Sequence, residues 1–269
     1  MTVCIAAILT QNNSIALVTD QLVSDTLVSV EGFRKHYFLD NNYKWIALCE
    51  ATEARRPRLM EAIQKQLDSA PGLKDKEDVI RACTAAYRSE TERMHDARLS
   101  RIGYTLKTFL ECGHEQLGDG IFETMLNELD GLDLGVRLLV AGFDSTGRPT
   151  LLEVSRGGEA FVPPVGYHAI GEGSWIVDAA LSQFSSGWLS LDAYANVYKL
   201  CAAKFASEKV HSGSVGKDTM VLMLASNGEL SFMWRMDVPE LKQVWEGSLY
   251  EVPPRALEIL RSKLVPPGR

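Results

Sequence analysis

Short apolar runs rich in β-branched residues alternate with polar turns at the start of the chain. The runs "TVCIAAIL" and "SIALVTD" are separated by "TQNNS", whose Asn residues accept turn geometry, so together they predict a β-hairpin. The runs "FRKHYFLD" and "KWIALCEA", split by "NNY", repeat the pattern and predict a second hairpin. Four strands are therefore expected before the first helix.

A helical period replaces this pattern in the next part of the chain. Apolar residues recur at three- and four-residue intervals over 53–69, with Pro57 in the first turn of the predicted helix. A second, longer helix is predicted over about 76–99. Residues 100–134 interrupt the regular order and are interpreted as an insertion or cap with at least one helix, at "DGIFETMLNEL".

The second half of the chain returns to strands and then to helices. Helices are predicted at about 174–185 and 191–209, and from Val238 onward the many prolines predict a tail that wraps the surface around one short helix. The predicted strands are "GVRLLVAGFD", "TLLEVS", "EAFVP" and "GYHAIG" before these two helices, and "DTMVLMLA" and "LSFMWRM" after them.

The order of these elements predicts the fold class. Strands and helices fall into separate runs, which is typical of an α+β fold with antiparallel sheets covered by helices on their outer faces. No repeat or low-complexity linker divides the chain, so we expect one domain over 1–238, with the insertion at 100–134 and a Pro-rich tail at 239–269.

Composition narrows the class of protein. A net charge of -7 gives no reason to expect nucleic acid as a partner. The five cysteines are scattered without a CxxC pair, and the five histidines lack metal-ligand spacing, so free thiols, no metal and no cofactor are expected. The first apolar run lacks a basic lead and is short for a signal peptide, and nothing reaches the length of a membrane span. A cytoplasmic protein without a membrane partner is therefore expected.

Thr2 gives this chain its candidate chemistry. A threonine hydroxyl becomes a nucleophile when a base takes its proton, and an adjacent free α-amino group can be that base because it titrates close to neutral pH. A cation such as Lys35 nearby would disfavour the protonated amine. Both effects require the removal of Met1, which the small side chain of Thr2 permits. Taken alone, Thr2 is the beginning of a strand, Asp20 a turn residue and Lys35 a solvated charge.

Several segments taken together resemble a known family. The segments "MTVCIAA", "VTDQLVSD", "FRKHYFLD", "AIGEGSWIVDAAL" and "SGSVGKDTMVLML" occur in the order and spacing of proteasome-type N-terminal-nucleophile (Ntn) hydrolases. The sequence is most similar to the bacterial Anbu-like branch. This resemblance covers most of the chain apart from residues 100–134 and the C-terminal tail.

The resemblance implies a fold, a reaction and a set of residues. The fold is a four-layer αββα sandwich, and the reaction is the cleavage of peptide or other amide bonds through an acyl ester on Thr2, as in a threonine protease. Asp20 would orient Lys35, Lys35 would tune Thr2, and Ser214 and Gly216 would help to position the α-amino group. The resemblance also implies a homo-oligomer, a ring or a related closed assembly, that acts on a peptide or protein substrate.

Two segments depart from the proteasome pattern. Cys49 and Glu50 stand where proteasome subunits have a Gly pair, so Glu50 is assigned to the support of the oxyanion hole although its carboxylate would oppose the developing negative charge. Glu172 occupies a position where proteasome subunits carry a serine, and Glu172 and Ser174 are further candidates. Two alternatives stay open: a catalytically silent ring or scaffold subunit that retains Met1, and an amidase for small molecules on the same fold.

Overall fold

Two five-stranded sheets form the centre of the molecule. All strand pairs in both sheets are antiparallel, which confirms the predicted α+β class. The computed structural model describes residues 2–9, 13–24, 29–30, 35–40, 44–51, 55–69, 75–155, 158–163, 166–184, 187, 189–211, 215–233, 236–248 and 250–264.

The first sheet contains the first two and the last three strands of the described chain. Its order is β10-β1-β2-β11-β12, so β1 pairs with β2 on one side and with β10 on the other. The predicted first hairpin is therefore present in the interior of a sheet. Its strands are β1 (Cys4–Leu9), β2 (Ser14–Asp20), β10 (Tyr167–Ile170), β11 (Thr219–Ala225) and β12 (Leu230–Met233).

The second sheet is built from the middle of the chain in sequence order. Its order is β5-β6-β7-β8-β9, and the predicted second hairpin is the pair β5-β6. A separate two-stranded ribbon, β3-β4, precedes it, so six strands rather than four come before the first helix in the described residues. These strands are β3 (Val23–Ser24), β4 (Ser29–Val30), β5 (His36–Phe38), β6 (Trp45–Ala51), β7 (Val136–Phe143), β8 (Pro149–Val154) and β9 (Ala160–Phe161).

Helices cover the outer faces of the sheets. Three apolar clusters connect these elements: one between the first sheet and α5 to α8, one between the second sheet and α1 with α2, and one between the two sheets. The helices are α1 (Arg56–Asp68), α2 (Lys76–Leu99), α3 (Leu106–Leu117), α4 (Asp119–Asp130), α5 (Ser174–Ser182), α6 (Ala193–Val210), α7 (Val238–Ser248) and α8 (Pro254–Lys263). No helix in these described ranges is both long enough and apolar enough to cross a membrane.

The insertion at 100–134 holds a short 3₁₀-helix, Ser100–Ile102, and two α-helices, α3 and α4. Helix α3 begins at a capping box, in which Thr105 and Thr108 exchange side-chain and backbone hydrogen bonds at 3.1 and 2.9 Å. Phe109 of α3 and Leu129 of α4 are buried against Leu99 in a small apolar cluster of their own. The insertion thus has its own core beside the two sheets.

The C-terminal tail differs from the sequence-based expectation. It forms two helices rather than one, and Leu241, Trp245 and Leu260 are buried in the same cluster as the outer face of the first sheet. The expectation of a tail that wraps the surface without building core is therefore wrong. The prolines mislead because Pro239 and Pro254 lie in the first turns of α7 and α8, where proline is well tolerated.

Buried thiols give a first testable prediction. Burial raises the pKa of Cys4, Cys83 and Cys201 to about 12, and it raises that of Cys49 as well. Their thiolate fraction is then lower by about a thousandfold, whereas Cys112 is only partly buried. Iodoacetamide should therefore modify Cys112 first, as measured by peptide mass spectrometry, and should modify all five cysteines after denaturation. Equal native rates for Cys4 and Cys112 would contradict this burial.

Candidate active site

The first hairpin brings Thr2 and Asp20 together. Thr2 lies two residues before β1, Asp20 is the last residue of β2, and the register sets Cys4 opposite Thr19. The Asp20 N–H donates to the Val3 carbonyl at 3.2 Å. The Thr2 hydroxyl donates to Asp20 Oδ1 at 2.7 Å, and both side chains are buried. Strand pairing thus sets the hydroxyl against the carboxylate.

Lys35 brings a cation from the second sheet to the same point. It directly precedes β5, and its carbonyl accepts a hydrogen bond from the Cys49 N–H of β6 at 2.9 Å. Its Nζ lies 3.0 and 2.9 Å from the two carboxylate oxygens of Asp20 and also contacts the Thr2 hydroxyl. Lys35 is 3% exposed and Asp20 0%. The attraction within a buried ion pair offsets the cost of desolvation only when the geometry is good. Removal of one partner leaves the other charge buried without compensation.

Asp20 is held by backbone donors as well as by side chains. The N–H groups of Val3, Leu22 and Gly216 donate to its carboxylate at 2.9, 3.2 and 3.0 Å. An ionised carboxylate is an acceptor only, so this set of donors matches Asp20 in its charged form. The carboxylate is therefore fixed in position by three separate segments of the chain.

Two loops close around Thr2 and Asp20 through glycine residues. Gly171 has a φ of +101°, and a Cβ at this position would lie 2.1 Å from the Thr2 carbonyl oxygen. The Gly173 N–H donates to that same oxygen at 3.4 Å. In the other loop, the Gly216 N–H donates to Asp20, and Ser214 lies outside the described residues. The role of these two residues in positioning the α-amino group stays a prediction.

The arrangement has a definite chemical capacity. The Thr2 oxygen is surrounded by an acceptor, the Asp20 carboxylate, and a donor, the Lys35 ammonium. An ammonium at this position stabilises the negative charge that develops on the oxygen as its proton leaves. The site is buried and is fixed in place by backbone hydrogen bonds, so little rearrangement is needed when that charge forms.

A known structure shares the architecture of this chain. Neither a protein-family model nor a curated protein sequence matches it. The solved structure of an Anbu mutant from Hyphomicrobium sp. strain MC1 matches it with a TM-score of 0.62 at 11% sequence identity, over 93% of this chain and 95% of that one. The chain has the Anbu fold. The Anbu-like resemblance that the sequence motifs indicated is thereby confirmed at the level of the fold.

Glu50 lies beside the site within this Anbu fold. Successive side chains of β6 point to opposite faces of the sheet, so residues two apart share a face. Leu48 lies in the cluster between the sheets, and Glu50 therefore faces the same space. Burial raises the pKa of the Glu50 carboxyl, the Arg137 guanidinium acts against that rise, and the Glu172 carboxylate adds to it. The preceding N–H, that of Cys49, already donates to the Lys35 carbonyl. An oxyanion role for this segment stays a prediction.

Glu172 and Ser174 lie in the first glycine loop of the Anbu fold. Glu172 is exposed between Gly171 and Gly173, both of which contact Thr2, so its backbone is fixed while its side chain faces solvent. Ser174 begins α5, and its N–H donates to the Gly171 carbonyl at 3.0 Å. Both residues belong to the loop whose glycines contact Thr2, and their roles stay predictions.

Sequence reasoning missed the contribution of α6. Lys204 of this helix donates to the Gly216 carbonyl at 2.6 Å, and Ser207 donates to the Gly173 carbonyl at 3.3 Å. The available signal was the Lys204–Glu208 pair, spaced four residues apart in a helix in which most of the other residues are apolar. Nothing in the sequence shows which carbonyls the buried lysine meets.

Side chains of the types that bind metal ions do not cluster in the described residues. Within them, no group of three or more His, Cys, Asp or Glu side chains is arranged to hold a metal ion.

Proposed function

We propose that the chain is an N-terminal threonine hydrolase that cleaves peptide or other amide bonds. The observation that carries the proposal is the contact of the Thr2 hydroxyl with both Asp20 and Lys35 in a buried setting. The Anbu fold supports the same conclusion, since the sequence resembles the Ntn hydrolases in the segments that hold these three residues. Removal of Met1 would expose the α-amino group next to the hydroxyl.

The proposed reaction follows from these positions. The α-amino group takes the hydroxyl proton while the Thr2 oxygen attacks the carbonyl carbon of the substrate, with Lys35 stabilising the charge on the oxygen. The C–N bond of the substrate then breaks, and the amine leaves with the proton. Water finally hydrolyses the acyl ester and restores Thr2. Asp20 keeps the Lys35 ammonium in place throughout.

The remaining features of the proposal concern the fold, the oligomeric state and the substrate class. The three apolar clusters support a four-layer αββα sandwich, with helices outside each sheet. By analogy with the family that the sequence resembles, we expect a cytoplasmic homo-oligomer that acts on peptides or proteins. A panel of short peptides compared with simple acyl amides separates a peptidase from an amidase for small molecules.

A second candidate function is a catalytically silent ring or scaffold subunit. Glu50 favours it, because a half-buried carboxylate near Thr2 opposes the negative charge of a tetrahedral intermediate. Arg137 lies 3.5 Å from the Glu50 carboxylate and makes a shorter contact with Glu153, at 2.8 Å. In this alternative Met1 is retained, and the buried triad of Thr2, Asp20 and Lys35 serves stability alone.

Intact-mass measurement before and after treatment with a threonine-directed electrophile separates the two candidates. We expect the purified protein to be lighter by one methionine residue, because a small second residue permits Met1 removal, and to gain one electrophile on Thr2. A protein that retains Met1 and gains no label would contradict the hydrolase and favour the scaffold. Peptide mapping of the adduct serves as the control, since labelling at a cysteine does not count.

A further inference from the structure

Lys204 is a fully buried cation whose ammonium faces the loop that holds Asp20. Its Nζ donates to the Gly216 carbonyl at 2.6 Å, to the Lys217 carbonyl at 3.3 Å and to Glu208 Oε2 at 3.0 Å. The residue is 0% exposed. Two of its three partners are therefore backbone carbonyls of a single loop, so the ammonium fixes the path of that loop.

Gly216 connects this cation with the site. Its carbonyl accepts from Lys204, and its N–H donates to Asp20 Oδ2 at 3.0 Å. The same Asp20 carboxylate binds Lys35 and the Thr2 hydroxyl. A shift of Gly216 would therefore move a donor away from the carboxylate that holds the other two groups.

The same helix makes a parallel connection to the first glycine loop. Ser207, one turn after Lys204, donates to the Gly173 carbonyl at 3.3 Å, and the Gly173 N–H donates to the Thr2 carbonyl at 3.4 Å. A Cβ at Gly173 would lie 2.0 Å from Ser207 Oγ, so the loop lies directly on the helix. Helix α6 thus contacts both loops that meet Thr2 and Asp20.

The charge on Lys204 is balanced inside the fold. Burial lowers its pKa, and the Glu208 carboxylate and, more weakly, Asp20 act against that lowering. Glu208 is shared with Lys242, whose Nζ lies 2.6 Å from the other carboxylate oxygen. Glu208 therefore keeps a cationic partner when Lys204 is replaced, so the substitution removes the contact with the loop without leaving a carboxylate unpaired.

We propose that Lys204 is a positioning residue for the Thr2–Asp20–Lys35 site, which it serves by fixing the Gly216 carbonyl so that the Gly216 N–H stays on Asp20. The catalytic part of this inference rests on the proposed hydrolase function. Its structural part, the control of Gly216 by Lys204, does not. The two parts can therefore be tested separately.

Lys199 provides a matched control on the same helix. It is also 0% exposed, and its Nζ donates to a backbone carbonyl, that of Gly187, at 2.7 Å. Among the described residues, Gly187 is not one of those that bond Asp20. Lys199→Met and Lys204→Met therefore each remove a buried hydrogen bond from a lysine to a backbone carbonyl. Only the bond lost in Lys204→Met involves a residue that contacts Asp20.

The experiment compares these two variants with the wild-type protein by two measurements. The first is the rate at which a threonine-directed electrophile labels Thr2 at saturation, and the second is backbone hydrogen exchange in peptides that contain Gly216. For Lys204→Met we expect labelling to slow by about tenfold to a hundredfold, the effect of misplacing a reacting group. We expect Gly216 to exchange faster by about tenfold, because its hydrogen bond to Asp20 weakens. For Lys199→Met we expect both rates within about twofold of wild type.

Each outcome decides one part of the inference. Wild-type labelling of Thr2 in Lys204→Met, with exchange at Gly216 equal to that of Lys199→Met, would overturn the positioning role. Equal slowing in both variants would also overturn it, because it would indicate a general loss of stability. If the wild-type protein itself is not labelled, the hydrolase proposal fails, and exchange at Gly216 still decides whether Lys204 controls the loop.

Discussion

Thr2→Ala is expected to reduce amide hydrolysis by about a millionfold and to eliminate covalent labelling, while leaving the fold intact. The substitution removes the hydroxyl and the γ-methyl group, and Asp20 and Lys35 can remain in contact with each other at 2.9 Å. Alanine is small, so Met1 removal should proceed as before and an α-amino group should still be present. Turnover, intact mass and thermal unfolding measured on the same sample check all three expectations.

Thr2→Ser is the matched control for this variant. Serine keeps a hydroxyl at the position that donates to Asp20 and accepts from Lys35, so it should retain labelling. Retained turnover in Thr2→Ala would remove the mechanism. Turnover that disappears in both variants, together with a lower unfolding temperature, would instead indicate that the site serves stability.

The second large effect concerns the buried pair of Asp20 and Lys35. Asp20→Ala or Lys35→Met alone should lower the free energy of unfolding by about 3–5 kcal/mol, because each leaves the partner charge buried without compensation. The double variant should recover a large part of this loss, since it leaves neither charge. Chemical denaturation of the two single variants and the double variant measures the coupling.

An exposed ion pair provides the comparison for this cycle. Arg98 and Glu128 lie 2.6 Å apart and are each partly exposed, so Arg98→Ala should cost no more than about 1 kcal/mol. If Asp20→Ala and Lys35→Met each lose as little unfolding free energy as this, and the two losses add in the double variant, the pair is not buried as the structure describes. Such a result would also remove the electrostatic basis of the proposed reaction.

Local patterns were enough to predict the strands that position the site. The alternation of apolar runs and Asn-rich turns predicted both hairpins, and the antiparallel register of the first then puts Asp20 beside Val3. The approach of Lys35 came from the family resemblance, because no local pattern connects it with Asp20. The structure brings the three predicted residues Thr2, Asp20 and Lys35 into contact.

Other features depended on information that a single sequence does not contain. Proline is a strong breaker within a helix but is favoured in its first turn. The prolines after Val238 therefore predict a surface tail, although those of "DVPE" and "VPPR" each lie at the beginning of a helix. The role of Lys204 depends on a contact with Gly216, twelve residues away across a loop. Such contacts become visible only when the tertiary structure is known.

The pairing of β1 has a consequence for biosynthesis. This first strand lies between β2 and β10, and the carboxylate beside Thr2 accepts a hydrogen bond from Gly216, which is in the last quarter of the chain. A nascent polypeptide therefore emerges from the ribosome with its second residue long before the partners of that residue exist. The contacts around Thr2 and Asp20 can therefore be complete only after the segment that contains Gly216 has been synthesised and has folded against the first hairpin.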